Sequence, residues 1–567
     1  MAVAETLAGK PRAARRARTR NAALFSAAFV AGASLASGAR AQPATQAPSQ
    51  ATEAPSQSTG VTATGSTSAP STYLITGIRV AATYSDNLNL ARSSGAQQDG
   101  YVMEVSPYAL WQTSTDRLRT SGTVAIRNFV RSVGESSAGR LEGVASGVAR
   151  LAGDWAWLEV TGRATTISGG SGVGTLAYNT AFYLPPSVAA RTFQQFSVSP
   201  FIRDRAGWLD YQLRYRYVTN NSPFPRTVQE VHQFSGNAST GSRFGRWNYS
   251  LVGLQTRNVL GDGRSFDRRI LTASAGYLVN PELRVGATVN YEQIDFLRGP
   301  NGRDYGVGPG VFFDWRPNSR FNVGASWSER FYGRNVSAQM GYRNRNLGLS
   351  LSYIDAVLTS ADASALFFDP ASVGSTSSGG VPFGAPILGN RVIQDLIQQQ
   401  LLLFGVAPFD LAFNTAALAR TQRLTLSGSL AGKSNTLSMS VFHSTRDVEA
   451  DISQGVSSGA GTINLRTGLE GKLTQTGTFA SLTHRLDSRS TVGLTGRYTI
   501  VETEGNFSGF LNTGRTTLSQ VALNYGFRVT QDVTAGFVLR RTQQRFDGSI
   551  GSQYTENAVS GVVDVRF

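Results

Sequence analysis

His232, His443 and His484 are the only imidazoles among 567 residues, and there is no cysteine. The lack of thiols removes disulfides, thiolate metal sites and cysteine nucleophiles together. A hydrolase built from what remains needs a histidine close to a serine or a carboxylate. His443 is the best placed, since Ser444 follows it and Asp447 and Glu449 lie a few positions on. His232 and His484 sit within strand-like segments without an evident partner. In the absence of partner geometry, a polar strand side chain is the favoured reading even for His443, and no catalytic residue is assigned. No His, Asp and Glu spacing suits a metal ion, and the glycines do not form a phosphate-binding loop. Neither a cofactor nor a nucleic-acid partner is expected.

Arginine is the other chemically active residue type. The formal net charge is +16, and beyond Lys10 the only lysines are Lys433 and Lys472. Arginine's planar fork suits phosphate and carboxylate partners, although a genomic bias toward arginine codons would give the same count. Arg214, Arg216, Arg284, Arg497, Arg528, Arg540 and Arg566 all fall on the polar phase of alternating segments, with Asp210, Glu292 and Asp564 interspersed. If that phase lines a lumen, it forms a basic wall that concentrates anions and slows cations. A charge-balanced wall, with arginines paired to carboxylates, is the alternative.

The elements that position these arginines are strands. Leu283, Val285, Ala287, Val289 and Tyr291 alternate with Arg284, Gly286, Thr288 and Asn290. Leu209 to Tyr217 and Val521 to Phe527 behave in the same way. A period of two with one apolar and one strongly polar face describes a strand between two different solvents. Short turns are readable near residues 114–116, 152–154, 203–207, 243–246, 280–282, 317–319, 343–346, 432–435, 486–489 and 530–532. Longer Gly-, Ser- and Asn-rich loops fall between them, as at 87–100, 168–190, 220–226, 297–303 and 504–515. Ten turns and two terminal strands predict about 22 strands, an even number that leaves both chain termini on one side of the membrane. The predicted fold is all-β: a single transmembrane antiparallel up-and-down barrel with short periplasmic turns and long extracellular loops. Tyr108, Trp111, Trp155, Trp157, Trp208, Trp247, Trp315 and Trp327 lie near strand ends, as interface girdles require.

Residues 1–41 read as a Sec signal peptide. A basic stretch from Arg12 to Arg20 precedes a small, apolar one, and Ala39-Arg40-Ala41 supplies the cleavage pattern. Residues 42–72, rich in Pro, Gln, Ser and Thr, read as a disordered periplasmic tether, far too short for the plug of a TonB-dependent transporter. The barrel takes residues 73–567. A mean hydropathy of −0.16 is too polar for a bundle of membrane helices. One long loop, 358–420, interrupts the regular spacing. Within it Val392, Leu396, Ile397, Gln400 and Leu403 share a helical face, and Val392, Leu396 and Leu403 are candidates for constricting the lumen. At the end, Val559, Gly561, Val563, Val565 and the terminal Phe567 share a face, and Phe567 is the candidate signal for the barrel assembly machinery.

Three stretches carry a family resemblance. Val80-Ala81-Ala82-Thr83-Tyr84-Ser85-Asp86-Asn87-Leu88-Asn89-Leu90 resembles the opening strand of the PEP-CTERM system-associated outer-membrane β-barrel proteins. The 423–448 pair, with Lys433-Ser434-Asn435 at its turn, and Tyr554-Thr555-Glu556-Asn557 leading to Phe567 are similar too. The long Thr/Pro/Gln tether departs from the usual members. The resemblance implies an outer-membrane barrel linked to exopolysaccharide production and envelope sorting, and it carries over no functional residues. The expected function is a passive conduit or accessory for exopolysaccharide export. A structural or adhesive barrel with an occluded lumen is the alternative, and a rim hydrolase centred on His443 comes last. The partners expected are outer-membrane lipid and lipopolysaccharide, the assembly machinery, an anionic polysaccharide and periplasmic export proteins.

Overall fold

The computed structural model describes residues 71–88, 97–132, 137–168, 190–221, 228–241, 243–260, 263, 265–295, 304–359, 417–451, 470–507, 510–511, 514–547 and 553–567. The signal peptide, most of the tether, and Val392, Leu396 and Leu403 lie outside the described residues.

The first strands are β1 (Ser71–Ser85), β2 (Gly100–Ser114), β3 (Leu118–Arg131), β4 (Ser137–Ala152), β5 (Ala156–Ser168) and β6 (Ala190–Ala206). They are followed by β7 (Leu209–Asn221), β8 (Val228–Ser239), β9 (Trp247–Leu260), β10 (Ser265–Asn280), β11 (Leu283–Ile294) and β12 (Tyr305–Asn318). Next come β13 (Phe321–Arg330), β14 (Gly333–Arg343), β15 (Leu347–Thr359), β16 (Ala417–Ala431), β17 (Asn435–Asp451) and β18 (Glu470–Arg485). The chain ends with β19 (Ser490–Phe507), the two-residue β20 (Phe510–Leu511), β21 (Gly514–Arg528), β22 (Val533–Asp547) and β23 (Tyr554–Arg566). Each long strand pairs antiparallel with its predecessor, and β1 pairs with β23. The wall is therefore a closed up-and-down barrel of 22 strands, with β20 an addition beside β19.

Closure leaves no unpaired edge, which a sheet in lipid cannot tolerate. A polar ladder on the inner face reinforces the seam. Arg79 Nε donates to Asp564 at 3.2 Å, Thr83 and Ser560 share a hydroxyl hydrogen bond of 2.9 Å, and Ser85 donates to Glu556 at 3.0 Å. Tyr108 lies across Gly77 and donates to Asp564 at 2.7 Å. A Cβ on Gly77 would sit 2.5 Å from that ring, so only glycine admits it.

The ten short turns read from sequence each separate two strands. Two boundaries differ: β1 starts at Ser71, two residues inside the expected tether, and the long loop is framed by Thr359 and Ala417. One connection differs in kind. β13 and β14 are joined on the extracellular side by Phe331 and Tyr332 alone, where a long loop was expected. Gly333, at φ 131°, supplies the backbone geometry that permits this tight reversal.

Strand parity sorts the side chains into two sets. Leu74, Ile78 and Val80 on β1 are exposed and face outward, as do Leu251 on β9, Val307 and Val311 on β12, Val521 and Leu523 on β21 and Val563 on β23. Ser and Thr hydroxyls, amides and charged groups alternate with them on the inner face. Large apolar side chains exposed all around a closed wall match lipid rather than water. This is a bacterial outer-membrane β-barrel, with its short turns toward the periplasm.

Candidate functional site

All seven arginines singled out from the sequence lie on the inward phase. Register links them: Arg214 is opposite the inward Phe201, Arg284 opposite Asp314, Arg497 opposite Gln520 and Arg540 opposite Ala558. They do not form one continuous wall. The inward face divides into an outer tier of buried, tightly paired charges and a periplasmic rim of accessible ones.

In the outer tier, Glu292 is the centre of one cluster. It accepts from Arg268 Nη2 at 2.8 Å, Arg330 Nη1 at 3.1 Å and the Tyr332 hydroxyl at 3.1 Å, and is 1% exposed. The sequence makes this possible through an inward glycine stripe on β12. The outer end of β13 lies over that stripe: a Cβ on Gly308 would meet the Glu329 carbonyl oxygen, and one on Gly306 would meet Phe331. Arg330 and Tyr332 are thereby brought across β12 onto β11. A second cluster holds Arg127 between Glu104 (2.6 Å) and Glu142 (3.1 Å). A third pairs Arg540 with Glu556 at 2.9 Å. Removing one partner from such a buried set costs roughly 3–5 kcal/mol, because the remaining charge is left in low dielectric. Phe266, Ile294, Val102 and Phe129 lie on the same inward phase and are also buried. Arg497, 6% exposed with Nε donating to Thr499 at 3.1 Å, belongs to this tier.

The periplasmic rim is built differently. Asp564 lies between Arg79 (3.2 Å) and Arg566 (3.7 Å), and Asp314 between Arg316 (2.8 Å) and Arg284 (3.7 Å). Asp210 lies between Arg205 (2.8 Å) and Arg243 (2.9 Å). Each carboxylate thus serves two guanidinium groups, and each trio keeps a net positive charge. The outer members stay accessible: the side chains of Arg79 and Arg316 are 41% and 51% exposed. Between these trios, Trp157 and Phe201 stack with centroids 6.2 Å apart. The guanidinium of Arg203 lies 4.6 Å from the Trp157 ring, and that of Arg214 lies 4.3 Å from the Phe201 ring. Arg214 also pairs with Glu159 at 2.7 Å. Rings beneath planar guanidiniums fix their orientation. Arg528 faces inward at the same rim, and Arg216 one inward step above Arg214.

Several expectations change. Tyr108 and Trp157, expected in the girdle, face inward, because they occupy the polar phase of their strands. Trp208, Phe244 and Trp247 do cluster at the periplasmic border, with Trp208 and Phe244 edge to face at 5.7 Å. The proposed His443–Ser444 pair is separated by strand parity: His443 faces out and Ser444 faces in. His443 meets Thr476 at 2.8 Å and Thr445 at 3.5 Å on the exterior wall. His232 is hydrogen-bonded to Tyr215 at 2.9 Å, also outside, and His484 meets Asn435 beside a periplasmic turn. Phe567 faces outward and is 73% exposed, and its backbone N–H donates to the Thr76 carbonyl at 2.8 Å. Among the described residues no group of His, Asp and Glu side chains suits a metal ion. The shared-carboxylate trios were not legible in the sequence, since their members come from neighbouring strands and turns.

No family model matches the chain, and no curated protein does. Among solved structures, the FrpB iron transporter from Neisseria meningitidis (F5-1 variant, apoprotein) is 10% identical with a TM-score of 0.45, over 87% of this chain and 81% of that one. The siderophore receptor PirA from Pseudomonas aeruginosa is 9% identical with a TM-score of 0.41, over 88% and 81%. A loop-deletion mutant of OmpT, an outer-membrane protein of Vibrio cholerae, is 10% identical with a TM-score of 0.29, over 88% and 100%. The closure, parity and apolar exterior of the wall define its class, independently of these likenesses.

Proposed function

We propose that the barrel is a passive conduit that receives an anionic polysaccharide at its periplasmic mouth, as an accessory to exopolysaccharide export. The observation that carries this reading is the set of three carboxylates, Asp210, Asp314 and Asp564, each shared by two arginines. Exposed trios of net positive charge around a mouth concentrate anions there. The resemblance to barrels associated with the PEP-CTERM system supports the same role. No energised transport is invoked and no catalytic residue is assigned.

The test is a planar-bilayer recording with polygalacturonate oligomers added to one side at a time. Addition from the periplasmic side blocks current at lower concentration than addition from the outside. Equal or absent block from both sides contradicts the reading. Burial of the outer tier favours a second reading, a structural barrel whose lumen stays shut. A refolded barrel that passes no current, even after the Glu292 cluster is broken, would support that one.

A further inference from the structure

One arginine at the periplasmic mouth stands apart from the shared-carboxylate trios. Arg150, Trp157, Phe201 and Arg214 occupy a single register row on β4–β7, all on the inward phase. Their planar groups form a ladder. Arg150 lies 5.2 Å from the Trp157 ring centroid, Trp157 is 6.2 Å from Phe201 at an interplanar angle of 7°, and Arg214 lies 4.3 Å from Phe201. The indole is held in place, since its Nε1–H donates to the Asp154 carbonyl at 3.0 Å. Arg203 is the next inward residue after Phe201 toward the periplasm, and its guanidinium lies 4.6 Å from the Trp157 centroid.

Among the described residues that ring is all the Arg203 guanidinium touches: it has no hydrogen bond and no ion pair. The carboxylates around it are occupied by other groups. Asp154 pairs with Arg150 at 2.7 Å, Glu159 with Arg214 at 2.7 Å, and Asp210 with Arg205 at 2.8 Å and Arg243 at 2.9 Å. Asp204, on the outward phase, accepts from the Arg205 backbone N–H at 2.7 Å. Even with Asp204 counted, these five arginines, Arg203 included, meet four carboxylates, and the surplus charge lies at Arg203. A guanidinium is a planar fork that binds a carboxylate through two parallel hydrogen bonds. A ring beneath it sets the plane of the fork before a ligand arrives, so less rotamer freedom is lost on binding. One free fork matches one planar monoanion. A phosphate, tetrahedral and more highly charged, calls for a second free guanidinium, and Arg150, Arg205, Arg214 and Arg243 are all engaged.

We infer that Arg203, laid on Trp157, is a subsite for the carboxylate of a uronic acid residue in the glycan. The inference deepens the reading of the mouth as an entrance for an anionic polysaccharide and rests on it. The three trios concentrate anions of any kind, whereas Arg203 selects the carboxylate.

The test is isothermal titration calorimetry of the refolded mature barrel in detergent with trigalacturonate and with its methyl ester. The native barrel should bind the acid at least tenfold more tightly than the ester. Sodium sulfate, against sodium chloride at equal ionic strength, should change the affinity less than twofold. Arg203→Gln should weaken trigalacturonate binding at least tenfold, and Arg203→Lys, which keeps the charge without the fork, at least threefold. Both variants alter a side chain whose guanidinium touches one ring, and both should keep the electrophoretic mobility of the folded barrel. Unchanged affinity in Arg203→Gln or in Arg203→Lys overturns the proposal, as does equal binding of the ester or displacement by sulfate. Current block separates this site from the conduit reading. Trigalacturonate that binds through Arg203 without blocking current from the periplasmic side overturns the conduit and upholds the site. Block from that side that persists undiminished in Arg203→Gln overturns the site alone.

Discussion

The outer tier and the periplasmic rim use the same chemistry, arginine against carboxylate, in opposite settings. In the outer tier Glu292, Arg268 and Arg330 have side chains 2–5% exposed, and their ion pairs join β11 to β10 and, across β12, to β13. At the rim, Arg79 and Arg316 reach carboxylates while keeping about half of their side chains in water. The first arrangement ties the tip of the β13–β14 hairpin to the inward face of β11, across β12. The second contributes little to stability, since exposed pairs are typically worth ~0–1 kcal/mol, but it sets the sign of the field at the mouth. Residue type alone does not distinguish a structural arginine from a functional one. Its depth along the strand does.

The largest test of this difference is Glu292→Gln. It leaves two guanidiniums buried against a neutral amide, and a loss of roughly 3–5 kcal/mol is expected in urea unfolding of the refolded barrel. A loss below 1 kcal/mol would place Glu292 in the same class as the rim carboxylates. Next comes Gly308→Val, which must displace the Glu329 carbonyl and with it the β13–β14 hairpin. Single-channel conductance should rise in this variant, and an unchanged value would mean the hairpin does not narrow the lumen. Arg79→Ala combined with Arg316→Ala should leave unfolding within ~1–2 kcal/mol of the native barrel. The same pair should move the reversal potential under a KCl gradient toward cation preference, and no movement would remove the rim from the account.

The smallest effect belongs to a turn outside the membrane. Asp487 accepts from the backbone N–H groups of Arg489 at 2.6 Å and Ser490 at 2.7 Å, which hold its carboxyl below the usual carboxylate range. A depressed folded pKa gives stability that is present above the unfolded pKa and fades as the pH falls through the folded one. Asp487→Asn should therefore lose a small part of the stability difference between neutral and acid pH. An unaltered pH profile would show that the turn does not depend on the ionised carboxylate.

The barrel itself was legible because period-two alternation and turn chemistry are local signals. The ten periplasmic turns are marked by Asn, Asp, Gly, Ser and Thr, and their number predicts the strand count. The inward phase of the seven arginines followed from the same parity. The tight extracellular reversal at Phe331 and Tyr332 was not visible, because its stabilisation comes from Glu292, two strands away, and from Arg268 on the strand beyond it. The split into two tiers was hidden for the same reason: burial depends on what lies across the lumen. Trp157 and Tyr108 were misplaced because nearness to a strand end was weighed without phase. His443 and Ser444 are adjacent in sequence, and a strand sends adjacent residues to opposite faces.

The most direct test of the central claim is the reversal potential of the refolded mature barrel in a planar bilayer under a KCl gradient, recorded for the native chain and for Glu292→Gln. The account predicts a small, anion-selective conductance that grows in Glu292→Gln while keeping its selectivity. A cation-selective current, or a selectivity that disappears when the outer cluster is broken, would contradict an anion-selective mouth set by the periplasmic arginines.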